Sequence, residues 1–320
     1  MSNADKSQTV NEVRAGILRW IGQLEPMRYE SEQDYSQRLD VDNRLNAPPI
    51  GFTPGGYREF WKAIGLALNG DSWQSEMLEA IQRQYIGTAM DYFWHVKFAE
   101  IFSPRKLSRI NWTSRTEAMA MTLILGLEKQ GLHFAFLIGA SLRQGFVTTK
   151  NLIDEHRRGH AFIIRLIERW AGVDLLDWPE VLKDRPEYEE LLVMWDTVDQ
   201  AKLTAPLLSA SDYHVSQMQP EGDGSSVYHD FASMNVIPLE ILLLFRLRES
   251  RGLANPTLNH PLLTAPFGAL PTPVDAARED PLLFGALDRL RADWPDFDVV
   301  ISADSVSQFD ADESPSTCST

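Results

Sequence analysis

The chain has a single cysteine among its 320 residues, Cys318. No disulfide can close within it, and a thiolate-based zinc site lacks its ligands. Lysine and arginine disappear after Arg291, whereas Asp293, Asp296, Asp298, Asp304, Asp310, Asp312 and Glu313 all follow. Those seven carboxylates supply almost half of a formal net charge of −15. Long apolar runs are missing as well. Residues 118–142 are interrupted by Glu128-Lys129-Gln130-Gly131, and residues 237–247 are few and carry Glu240 and Arg246, so neither stretch spans a bilayer. Residues 1–6 lack the basic and apolar regions of a secretory signal. The expectation is a cytoplasmic protein without membrane contact. Nor does it suit nucleic acid, whose phosphates call for clustered cations.

Motifs of chemistry are equally scarce. The sharpest candidate is Glu155-His156-Arg157-Arg158-Gly159-His160, where two histidines at i and i+4 share a helix face as in helical zinc proteases. The base that motif needs directly after its first histidine is replaced by Arg157, and Glu155 points elsewhere. His95 has no Glu-x-x-His companions for a di-iron bundle. Tyr213-His214 and His229-Asp230 read as loop residues without identifiable partners. Gly139-Ala140-Ser141-Leu142-Arg143 lacks the second glycine and the preceding strand of a nucleophile elbow. Gly222-Asp223-Gly224-Ser225-Ser226 has no phosphate-loop lysine. Asp40-Val41-Asp42-Asn43 begins like a calcium loop, but Leu45 and Gly51 occupy its glycine and glutamate positions. No catalytic residue, metal ligand or cofactor is therefore assigned.

What the chain does have is core material: 44% hydrophobic residues, with nine Trp and fifteen Phe, too much for a disordered chain. Its periodicity is helical. Val13, Ile17, Trp20 and Ile21 share a face of a segment at 10–24 that Pro26 ends. Residues 48–56, with Pro48-Pro49 and several glycines, read as a loop before a helix at 57–68. Asp71 with Gln74 marks the start of a long helix, with a kink plausible near Gly87. Ser114 with Glu117 marks another start, and Gly131 its C-cap. Residues 118–127 are apolar on nearly all sides, as a buried helix requires, and 132–142 make its antiparallel partner, ending by Gly145. Further helices follow up to Trp170 before Gly172, from Glu187 to about Val198, from Pro238 to Ser250 before Gly252, and over 282–294. Residues 213–226 read as a loop and 298–301 as one short strand. The predicted fold is all-α, a multi-helix globular bundle over residues 1–302, in one body or two closely packed halves meeting near 172–186. An acidic, disordered tail is expected at 303–320.

Asp293, Trp294, Asp296, Phe297 and Asp298 stand apart, because carboxylates mixed with aromatics suit a protein interface. They are the predicted partner-binding residues. With Asn259-His260-Pro261-Leu262-Leu263, Ala269-Leu270-Pro271, Asp280-Pro281-Leu282-Leu283 and Trp294-Pro295-Asp296, the acidic, Trp-rich helical chain resembles the immunity proteins of bacterial toxin systems, among them antidotes to effectors of type VI secretion. The resemblance implies a protein that binds one cognate toxin, often basic, and occludes its active site without catalysis. The rival expectations are a helical enzyme with a site near Glu155, His156 and His160, and a chaperone or adaptor for a secreted effector. Elemental analysis of the purified protein is expected to find no stoichiometric zinc or iron. About one metal per chain, lost on His156→Ala, would promote the enzyme.

Overall fold

A computed structural model of the chain describes residues 2–24, 52–98, 112–146, 158–176, 178, 186–218, 236–274 and 280–307. Every regular element among the described residues is a helix, as the sequence predicts. In chain order they are α1 (Asn3–Leu24), α2 (Phe52–Asn69), α3 (Gln74–Phe98), α4 (Trp112–Ile124), α5 (Glu128–Arg143), α6 (Arg158–Ala171), α7 (Pro186–Met194), α8 (Gln200–Gln217), α9 (Leu239–Ser250), α10 (Pro281–Asp293), α11 (Phe297–Val300) and α12 (Ala303–Ser307).

The bundle is built around α4. From Ser114 to Ile124 every residue is buried, and α3, α5, α6 and α9 all pack against it. Such a helix has no solvent face on which to place polar groups, so its polar residues are satisfied inside. Thr116 and Thr122 donate to the carbonyls of Trp112 and Ala118, 2.9 and 2.8 Å away. Arg115 pairs with Asp91 of α3, and Glu117 lies 3.0 Å from His160 of α6. At the end of α4 the carbonyls of Met121, Thr122 and Leu123 accept from the amides of Leu125, Leu127 and Gly126 in the turn that follows. Ile124 O and the Leu125 carbonyl just past the helix are instead met from far along the chain. Arg246 Nε of α9 donates to Ile124 O at 2.7 Å, and the Val274 amide to Leu125 O at 2.9 Å.

Several boundaries differ from the sequence reading, each for a local reason. Helix α1 starts seven residues earlier than predicted, because Ser2 and Asp5 cap each other's amides at 2.9 and 3.2 Å. The Pro-Gly-Gly stretch expected in a loop lies in α2, whose early turns tolerate Pro54. Helix α3 opens at Gln74, three residues after its expected cap, and runs unbroken through Gly87. Ser114 and Glu117 lie inside α4 rather than capping it. The turn after α4 falls at Gly126, whose φ of 87° suits glycine. Gly131 belongs to α5, where Leu123 leaves no room for a Cβ. The sequence reading assigns no helix to 200–212 and a loop from 213, so it misses α8, which carries Pro206 inside it. Yet Leu203, Leu207, Ala210 and His214 keep helical spacing on its buried face. The expected strand at 298–301 is instead α11 and the turn after it, and packed structure continues through α12, where Val306 is buried.

Helix α7 ends at Met194, four residues short of the expected end near Val198, whereas α5, α6 and α9 stop as read, at or just before Gly145, Gly172 and Gly252. Among the described residues no helix is long and apolar enough to cross a membrane. Because Leu125 and Ile138 line the centre of this core, Leu125→Asp or Ile138→Asp is expected to unfold the protein. A buried, unpaired carboxylate costs several kcal/mol. Either variant purifying with an unchanged melting temperature would overturn the core assignment.

Candidate functional site

The chain from Asp280 to Ser307 folds back as a cap over α3 and α5. Asp280 starts it by accepting from the Leu283 amide at 3.1 Å, while Arg83 of α3 donates to its other carboxylate oxygen at 2.7 Å. Leu283, Ala286 and Leu287 then turn the inner face of α10 to the core. At the end of α10, Trp294 and Phe297 meet Phe93 edge-on, with ring centroids 5.9 and 5.1 Å away. Trp294 also lies against Phe98. Lys97 of α3 pairs with Asp296, and its ammonium sits 5.6 and 5.8 Å from the Phe93 and Trp294 rings. Arg143 of α5 holds the far end of the cap through Val306 O, at 2.6 Å.

A relay closes the middle. His133 Nε2 lies 2.6 Å from Ile301 O and Nδ1 lies 2.6 Å from the Tyr85 hydroxyl. A carbonyl only accepts, so the imidazole proton is on Nε2, and Nδ1 accepts from the phenol. Burial pushes the Tyr85 hydroxyl up to about 12, which keeps it a donor. Burial also pushes His133 below its ordinary value, against the pull of the Ile301 carbonyl. Beside the relay a cleft of about 360 Å³ opens between the cap and the body. Its apolar walls include Ile86, Leu287 and Phe297, and the Arg291–Asp298 pair and Ala303 stand at its edge.

The five predicted binding residues divide within this cap. Asp293 is exposed and forms no ion pair among the described residues. Trp294 is half-buried, with rings on one side and Lys97 over it. Phe297 is 1% exposed and is a core anchor of the cap, not a surface aromatic. Asp296 is paired with Lys97, and Arg291 donates to both oxygens of Asp298 at 2.9 to 3.2 Å. The segment looked uniformly acidic in sequence, but the fold brings cations to two of its three carboxylates. Tyr85 and His133 were not foreseen, since a lone histidine in an apolar helix gives no sign of a carbonyl 168 residues away.

The enzymatic candidates are placed differently. Glu155, His156 and His229-Asp230 lie outside the described residues. His160 is buried with Glu117 and lies edge-on to Trp112 at 5.6 Å. His214, expected in a loop, is on α8 with Nδ1 2.5 Å from Glu240 Oε1, and neither side chain is exposed. His260 donates through Nε2 to Asp212, which also pairs with Lys6. Among the described residues, no group of three or more His, Cys, Asp or Glu side chains is arranged to hold a metal.

The relay makes the cap sensitive to acid. His133 and His260 are both held below the ordinary 6.5 by burial, so on acidification the unfolded chain takes up protons first. Their contribution is complete above about pH 6.5 and is lost as pH falls through the folded values. The melting temperature is expected to fall between about pH 7 and pH 5, and to fall less in His133→Gln. Equal slopes in the two proteins would remove His133 from the account. Comparison of the chain with protein-family models, with curated proteins and with solved structures finds no match.

Proposed function

We propose that the chain is a non-catalytic binding protein, an immunity protein that neutralises a cognate bacterial toxin by covering its active site. The observation that carries this reading is the cleft in the acidic cap. A cleft of this size with apolar walls and a polar edge suits one large anchoring side chain from a partner, the usual core of a tight interface. Around it, Asp293 is free to meet a cation, and Val299 and Phe284 are 66% and 38% exposed. The net charge of −15 favours encounter with a basic protein, as many toxins that act on nucleic acid are. A cytoplasmic location, where such a toxin would act, belongs to the same reading.

The test uses the product of the neighbouring gene as the partner. Association is expected to slow as salt rises, because exposed charges steer encounter and are screened beyond about 8 Å at physiological ionic strength. Asp293→Lys should slow it further. Ala303→Trp, which fills the cleft from an exposed edge position, should weaken binding about tenfold or more and reduce protection from the toxin. Asp296→Lys and Asp298→Lys are poorer probes, since each would face Lys97 or Arg291 and disturb the cap itself. A complex indifferent to salt, Asp293→Lys and Ala303→Trp would place the interface elsewhere, and no complex with the neighbouring product would sink the immunity reading.

A further inference from the structure

Among the described residues, the large hydrophobic side chains left most open to solvent are Val193, Val198, Phe284 and Val299. Phe284 and Val299 belong to the cap. Val193 and Val198, 71% and 83% exposed, fall together at the turn that joins α7 to α8. Scattered exposed apolar residues need no explanation, but this turn differs in two respects.

The first is its rigidity. Arg248, fully buried on α9, donates to Trp195 O at 2.6 Å and Thr197 O at 2.9 Å, and also reaches Ala254 O and Asn255. Trp195 is itself buried, so the turn is anchored through both its backbone and its indole. Thr197 N closes on Met194 O, the Asp199 amide meets Thr197 Oγ1, and Asp199 caps α8 through the Ala201 amide. An exposed turn fixed this firmly presents its two valines without an ordering cost when something docks on them.

The second is its charge. Glu190 precedes Val193 by three residues on α7 and is exposed, as are Asp196 and Asp199. Glu190 and Asp196 form no close ion pair among the described residues, although Asp196 is attracted by the buried Arg248, and the cation near Asp199 is Lys202, at 3.9 Å and itself 67% exposed. Two apolar contacts are thus bordered by three carboxylates.

We infer that the α7–α8 turn is a second interaction surface, separate from the cap, which receives a basic amphipathic segment of a partner protein. The apolar face of that segment rests on Val193 and Val198, and its lysines or arginines meet Glu190, Asp196 and Asp199. A second copy of this chain fits poorly, because a two-fold contact would set this acidic turn against its own image. Nucleic acid is repelled by the same carboxylates.

The probe is a fluorescently labelled synthetic helical peptide with Lys on one face and Leu on the other, compared with its Glu-for-Lys counterpart by anisotropy at low ionic strength. The Lys-Leu peptide is expected to bind and the Glu-Leu peptide not to. The double variant Val193→Ser/Val198→Ser and the single Glu190→Lys should each raise Kd about tenfold, a loss of about 1.4 kcal/mol. All three positions are exposed, so an unchanged melting temperature will confirm intact folds. Ala303→Trp should leave peptide binding unaltered, which separates this surface from the cap whatever becomes of the toxin reading. No binding of the Lys-Leu peptide, or binding equal in wild type and both turn variants, overturns the inference. So does a dimer of the wild type that the double valine variant dissociates, since the occupant would then be a second copy.

Discussion

A helix buried on every side fixes much of this structure. Helix α4 cannot turn its side chains to water: Thr116 and Thr122 bond back to its own carbonyls, and the partners that Arg115 and Glu117 take from α3 and α6 fix how those helices sit. Asp91 positions α3 against Arg115, and His160 positions α6 against Glu117. Burial raises the Asp91 carboxyl, against the opposing pull of Arg115 and His95, so the pair is only as stable as its geometry is good. Removing one member would leave the other charged in the core. Such pairs do more to select one arrangement of helices than to add net stability.

Arginine has a second task here. Arg14, Arg143, Arg246, Arg248 and Arg251 all donate to main-chain carbonyls in other elements. The planar, multi-donor guanidinium can serve two or three carbonyls at once, which an ammonium does less well. In a protein built from helices, carbonyls at helix ends and in irregular links are the groups left over. The segment at 253–274, too rich in proline for a long helix, is held by Arg248 at Ala254, Arg14 at Thr264 and Ala265, and Arg246 at Pro271.

The sequence made the helical class legible because that information is local: periodic apolar residues, with Gly145, Gly172 and Gly252 at helix ends. It misled where a local signal serves a tertiary purpose. Gly131 reads as a terminator but exists for the approach of Leu123. Glu117 reads as a cap but is bound to a histidine 43 residues later. Residues 213–217 read as the start of a loop, yet they are the last turn of α8. The candidate site was half legible. Its place near residues 293–298 could be read from aromatics among carboxylates, whereas the cleft could not, because its other wall comes from α3 and α5. The burial of Phe297 and the pairing of Asp296 with Lys97 were hidden for the same reason, whereas Asp298 takes its cation locally, from Arg291 seven residues earlier.

That distance along the chain has a consequence in time. Lys97 is joined to Asp296 across 199 residues, and His133 to Ile301 across 168. Synthesis at about 5–20 residues per second leaves an interval on the order of ten to forty seconds between the making of α3 and the arrival of its cover. Throughout that interval Phe93 and Phe98 lack Trp294, and Phe93 lacks Phe297 as well. A nascent chain that stalls in this window presents an aromatic strip to its surroundings, the kind of surface that chaperones bind and proteases follow. The cleft is completed late too, since it has no outer wall until the ribosome has passed Ala303.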